Sequence, residues 1–255
     1  MLMSCMFKPE QILELHQELS EVQAKANDIT EMLVGWDYQT TEGKEYGTHG
    51  LARRVTNIAR CVARVYELLP PELDEIPDDD SRKDAEVFIQ AAVFGIYGAL
   101  ENLAFVWAFE RKVLERGGIP LSNVKIGFSP KKREFWASLP EGLQAYFESM
   151  RQWRVNLESF RHSLGHRIPL YIPPCVAKFP EYENLEKEKY AALGNLDVAS
   201  YQALKSEQKK LCVFKPMIAH SLSNGSPPIV FHAQLLADFN TLAEACRMVF
   251  DRLKE

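Results

Sequence analysis

Between residues 87 and 109 the chain places apolar side chains on every face of a helix: Phe88, Ile89, Val93, Phe94, Ile96, Leu100, Leu103, Phe105, Val106 and Trp107. A helix without a polar face has to be covered by other elements. The chain must therefore supply several further helices to surround it. Ser81 suits the N-cap of this central helix, predicted over about 82–116 and ended by Gly117-Gly118. Gly95 and Gly98 predict close approach of a neighbour. Within the longest apolar run, 91–109, only Glu101 and Asn102 are polar. That interruption predicts a buried core helix, not a membrane span. Buried polar groups need partners, so Glu101 and Asn102 either satisfy each other's surroundings within the core or reach a functional site.

The covering helices are legible from their periodicity. Residues 9–34 carry Ile12, Leu15, Leu19, Val22, Ala26, Ile29 and Leu33 at alternating steps of three and four, the seam of a bundle helix or of a pairing coil. Residues 36–48 read as a polar loop. A second helix spans about 49–69, with Val55, Ile58, Val62, Val65 and Leu69 on its apolar face. Its cations Arg53, Arg60 and Arg64, with Arg54 beside them, are either a solvated flank or a phosphate-contact strip. Pro70-Pro71 stops this helix, and an acidic linker follows to Asp80. Ser129-Pro130 suits a helix start, and a helix from Pro140 to about 166 uses Leu143, Phe147, Trp153, Leu157, Phe160 and Leu164 as its stripe. Residues 180–209 are charged and helical around a break at Gly194, the segments 211–218 and 229–231 flank Asn224-Gly225 as a short hairpin, and 232–254 close the chain as an amphipathic helix. The fold class is all-α: one domain over 1–255, an antiparallel bundle of four to five long helices, with an insertion at about 175–231.

A net charge of −5 provides no global basic field, so any nucleic-acid reading rests on local patches. Cys5, Cys61, Cys175, Cys212 and Cys246 are odd in number, widely spaced and without a C-x-x-C pair. They predict reduced thiols in a cytoplasmic protein and argue against a disulfide or zinc framework. The short apolar N-terminus lacks a basic region and cleavage site, which predicts no signal peptide.

The chemistry concentrates at the end of the 140–166 helix, where Arg161, His162 and His166 precede Arg167 and Pro169. Arg161 offers a planar fork of donors that matches a phosphate. His166 can give and take a proton near neutral pH. No lysine occurs over 133–177, so the cations of this helix are all arginine, Arg151, Arg154 and Arg161, with Arg167 just beyond. Arginine alone fits bidentate phosphate or carboxylate pairing. His162 and His166 stand one turn apart, as zinc ligands do, but Ser163 occupies the place of a metalloprotease Glu. No third ligand is evident, so no metal and no cofactor is expected.

Arg161, four residues, then His166, on the last turn of a long helix, resembles the R-x4-6-H motif of the HEPN superfamily. The resemblance covers residues 81–175 and implies an all-helical domain, a metal-independent endoribonuclease with Arg161 and His166 as catalytic residues, RNA as substrate and a homodimer with a composite cleft. It also implies a toxin or defence role, with a possible antitoxin or partner protein; the interrupted apolar run predicts no membrane partner. His162 stands where such nucleases often carry Asn. His162, Glu101 and Asn102 are candidate supporting residues, and Arg154, Arg167, Arg60 and Arg64 candidate RNA contacts. Two other readings stay open. A non-catalytic HEPN-like module would bind RNA, a nucleotide or a protein. In a purely structural reading, Arg161 pairs with Glu158 and His166 caps its helix.

Overall fold

The computed structural model describes residues 6–177, 180–219 and 228–255, and these are mostly helical. In chain order, the helices are α1 (Pro9–Val34), α2 (Thr41–Lys44), a π-helical segment (Glu45–Ala52), α3 (Arg53–Leu68), α4 (Asp79–Glu110), a 3-10 turn (Asn123–Lys125), α5 (Arg133–Ala137), α6 (Glu141–Ser149), α7 (Arg151–His166), α8 (Glu181–Gly194), α9 (Val198–Lys210) and α10 (Phe231–Leu253). Strand β1 (Val176–Ala177) pairs antiparallel with β2 (Cys212–Val213), and β3 (Met217–Ile218) with β4 (Ile229–Val230).

The apolar helix is central. Helix α4 buries Ile89, Val93, Ile96, Leu103, Val106 and Trp107, and it packs on α3, α7, α10 and the π-helical segment. It is long and apolar enough to cross a membrane, yet 61% of its most apolar window lies inside the protein. The seam of α1 buries Leu15, Val22, Ala26, Ile29 and Leu33 against α3 and α10.

Side-chain contacts fix the relative directions of the long helices. Arg64 covers the Phe88 ring while Arg54 bonds Asn102 at 2.8 Å, so α3 runs against α4. Along that line a Cβ on Gly95 would sit 2.8 Å from Ile58, and one on Gly98 would sit 2.6 Å from the Arg54 guanidinium. Both positions are glycine because their neighbours occupy the space of a side chain. Arg161 lies over Tyr97 while Gln90 bonds the Leu170 carbonyl, so α7 and the strap after it also run against α4. Lys25 meets Asn240 and Trp36 meets Phe250, so α10 runs alongside α1.

Several boundaries differ from the sequence reading. Asp78, not Ser81, caps α4: its carboxylate accepts from the backbone N–H of Asp80 and of Ser81, while Ser81 donates its hydroxyl to the same group. The helix ends at Glu110, before Gly117, with Lys112 at φ 48° turning the chain. Residues 41–48, expected as loop, are helical and run on without interruption into α3. Thr40 caps Gly43 N–H, and Glu110 holds the backbone N–H groups of Gln39 and Thr40. The predicted 140–166 helix is two helices with a break at Met150. The Arg154 guanidinium donates to the carbonyls of Phe147 and Phe128 there, satisfying an acceptor that an unbroken helix would satisfy with its own N–H.

The insertion is a helical hairpin: α8 and α9 pack chiefly on each other. Strand β2 pairs with β1 at the root of this hairpin, and only β3 meets β4. Asn224-Gly225, the expected turn, lies outside the described residues. The expectation of reduced thiols is corrected at one pair: Cys175 and Cys212 form a disulfide, with Cα atoms 5.4 Å apart. Two cysteines 37 residues apart in the chain become neighbours because β1 and β2 close the hairpin's root. Cys61 and Cys246 are free.

Candidate functional site around the end of helix α7

His166 is the last residue of α7. The chain then leaves as an extended strap that is pinned to α4. Gln90 donates to the Leu170 carbonyl at 2.7 Å, Arg82 donates to the Ile172 carbonyl, and Glu86 accepts from Ile172 N–H at 3.0 Å. Arg82 itself is held by Glu86 at 2.7 Å and is mostly buried. Leu170 and Ile172 are buried, so this is a packed connection. It fixes where α7 ends along α4.

Arg161 is half-buried and lies over the ring of Tyr97, 5.1 Å from the centroid. Among the described residues it has no carboxylate within ion-pair distance. The expected pairing with Glu158 is therefore not a direct ion pair. Tyr97 reports the charges around it. Burial raises its phenol pKa, Glu101 and Glu158 raise it further, and Arg161 lowers it. Glu101 thus belongs to the surroundings of Arg161, and it is exposed, which corrects the expectation that it is buried. Asn102 turns the other way, accepting from Arg54 Nε of α3.

His162 and His166 are exposed on one face of α7, their ring centroids 5.1 Å apart. At 100° per residue, positions 161 and 166 are offset by roughly 140° around the helix. Within one chain, Arg161 faces α4 while the two histidines face outward. No hydrogen bond or ring contact joins Arg161 to His166 among the described residues. Arg167 and Ile168 beyond them are exposed.

The candidate RNA contacts divide. Arg60 and Arg167 are exposed. Arg64 lies over Phe88 and pairs with Glu67. Arg154 is corrected: both terminal nitrogens are committed to the backbone carbonyls at the α6–α7 corner, so it is a structural residue. Burial lowers its pKa. Among the described residues no group of three or more His, Cys, Asp or Glu is placed to hold a metal ion.

Two features have no counterpart in the sequence reading. Tyr97 is the first. Its hydroxyl-bearing ring one turn before Glu101, in an otherwise apolar helix, is the signal that would have found it. The second lies behind α7, where Trp153, Asn156, Phe160, Ile229, Gln234 and Asp238 line a cavity of 30 Å³. Asp238 is buried and accepts from Trp153 Nε1 at 2.7 Å and Gln234 Nε2 at 2.6 Å. Burial holds its carboxyl up at about 6. A larger cleft of 470 Å³, lined by Trp36, Asp37, Gln39, Glu110, Arg111 and Lys254, lies at the C-terminal end of α4.

Comparison of the chain with protein-family models, with curated proteins and with solved structures finds no match.

Proposed function

We propose that the chain is a HEPN-like, metal-independent endoribonuclease, a bundle of its long helices α1, α3, α4, α7 and α10 that acts as a homodimer, with α3 and α7 antiparallel to α4, and α10 parallel to α1. The observation that carries the reading is the arrangement at the end of α7. A phosphate-matching arginine lies over an aromatic ring without a carboxylate partner, five residues before an exposed histidine on the helix's last turn. In the reaction, the 2′-oxygen of a ribose attacks the adjacent phosphorus. Its proton passes to a base, the bond from phosphorus to the 5′-oxygen breaks, and an acid protonates that oxygen. The products are a 2′,3′-cyclic phosphate and a 5′-hydroxyl. His166 serves as acid or base, and Arg161 stabilises charge on the phosphorane oxygens. One histidine does not comfortably perform both transfers. A two-fold dimer supplies a second Arg161 and His166, and the outward face of His166 suits such a composite cleft. His162, exposed beside His166, is the within-chain candidate for the second proton. A toxin or defence role, with an antitoxin or other partner protein, belongs to the same reading.

A second reading is a non-catalytic module of the same type that binds RNA, a nucleotide or a protein. The separate faces of Arg161 and His166, and His162 at the place of the family's Asn, favour it.

The deciding experiment is cleavage of mixed RNA with EDTA present, by the native chain, Arg161→Ala and His166→Ala. The first reading expects cyclic-phosphate ends from the native chain and loss of cleavage in both variants. Absent or unchanged cleavage, with RNA still bound, leaves the second.

A further inference from the structure

The most apolar helix of the protein is not fully covered. Val87, at 61% exposed, Ala91 and Phe94, at 43% exposed, form a line on α4 at helical spacing. The residues on either side of this line are the ones that meet the neighbouring helices. Phe88, Gly95 and Asn102 meet Arg64, Ile58 and Arg54 of α3. Glu86, Gln90 and Tyr97 meet the strap and Arg161 of α7. The strip is therefore an exposed apolar line between two helices, with Arg64 and Arg54 of α3 on one side and Arg161 of α7 on the other. At 1.5 Å per residue it runs about 10 Å from Val87 to Phe94, beyond which Gly98 is buried beneath the Arg54 guanidinium and exposed Glu101 follows. The chain passes from Arg161 at Tyr97 to Leu170 at Gln90, so the last turn of α7, which ends in His166, lies alongside Phe94.

We infer that this strip is a track for unpaired nucleic acid, in which bases stack on Phe94 while the phosphates meet Arg54, Arg64 and Arg161. The inference rests on the reading of the α7 end as a site that handles RNA, and it names the form of substrate: a single strand, not a duplex. Charge decides the occupant. Arg54 spends its Nε bond on a neutral amide and Arg161 lies over a ring, so neither is directly bonded to a carboxylate, although Arg64 pairs with Glu67 and Glu101 and Glu158 act on the ring beneath Arg161. A second copy laid on the strip by a two-fold axis, along or across α4, would set arginine against arginine. A polyanion with flat apolar rings satisfies both the apolar line and the arginines beside it. Stacking on exposed aromatics combined with a cationic groove is how sequence-tolerant single-strand binding is achieved, and duplex bases, already stacked and enclosed, cannot use the apolar line.

The test uses the full chain and fluorescence anisotropy with labelled single-stranded RNA, single-stranded DNA and duplex RNA, at several salt concentrations. Phe94→Ala, Arg54→Gln and Arg64→Gln are compared with Leu13→Ala, a change at an exposed apolar residue of α1, with thermal melts to establish folding. Both single strands should bind more tightly than duplex. Phe94→Ala should weaken binding roughly tenfold, each arginine variant should reduce the salt slope by about one, and Leu13→Ala should change nothing. Single-stranded DNA, which lacks the 2′-hydroxyl, keeps binding separate from cleavage. Binding through Phe94 without any RNA cleavage would retain the track and remove the nuclease. Cleavage with binding indifferent to Phe94 would retain the nuclease and overturn the track. Preference for duplex, or a Phe94-dependent dimer in place of RNA binding, would also overturn it.

Discussion

The guanidinium of Arg161 lies 5.1 Å from the centroid of the Tyr97 ring, with Glu101 and Glu158 acting on the same phenol. Arg161 favours the phenolate, whereas burial and the two carboxylates disfavour it. Arg161→Ala should therefore raise the Tyr97 pKa further, and Glu101→Gln should lower it. Ultraviolet titration of tyrosinate, with Tyr97→Phe as the blank, measures both. The cation–ring contact should contribute about 1 kcal/mol to stability.

Asp238 and His232 set opposed pH dependences. The Asp238 carboxyl, buried behind α7, is raised from 3.8 to about 6. Its contribution to stability is full below its unfolded pKa and is lost as pH rises through about 6. His232 is buried, bonds the Leu69 carbonyl at 2.6 Å, and is lowered from 6.5 to about 4. Its contribution is present above its unfolded pKa and is lost as pH falls through about 4. Each shift corresponds to about 3 kcal/mol, and the two act in the same window with opposite sign. The native protein should show a nearly flat stability from this pair between pH 4 and 6.5. Asp238→Asn should expose a fall in stability toward acid, and His232→Gln a fall toward neutral pH. Urea denaturation across that range measures all three, and parallel curves would refute the assignment.

Arg154 holds the corner between α6 and α7 through two backbone carbonyls. Charge-assisted bonds of this kind contribute about 1.5–3 kcal/mol each. Arg154→Ala should lower stability by about 3 kcal/mol, and Arg154→Lys, which lacks the fork, should rescue little. The affinity of the folded fraction for RNA should not change, and chemical denaturation paired with binding below the midpoint separates the two effects.

The disulfide between Cys175 and Cys212 closes a loop of 37 residues. In the chain-entropy account such a closure stabilises by about 4 kcal/mol. Mass spectrometry of the non-reduced protein should find Cys175 joined to Cys212, and Cys212→Ser should increase proteolysis within residues 176–211 well before the bundle is cut.

How much was legible in the sequence depended on the range of the signal. Periodic apolar positions placed α1 and α10 to within a residue or so, because a helix that buries one face repeats its own instructions every turn. The α8–α9 hairpin was legible from its charged composition and from Gly194 at its break, not from a buried apolar face. The segment 41–48 was missed because its helicity depends on Glu110, some seventy residues away, holding the N–H groups of Gln39 and Thr40. Arg154 was misread because an arginine that binds carbonyls is indistinguishable, in sequence, from one that awaits a phosphate. Arg161 and His166 were singled out by spacing, but the direction Arg161 faces depends on Tyr97, which no local pattern near residue 161 reveals.

The two roots of the α8–α9 hairpin have Cα atoms only 5.4 Å apart, the separation of paired residues on adjacent strands. A chain spliced from one root to the other would need nothing more than a tight turn to continue. The hairpin is thus a cassette: the bundle neither pays much core for carrying it nor requires it to close, so its length and sequence are free to diverge while the strap beside His166 keeps its place.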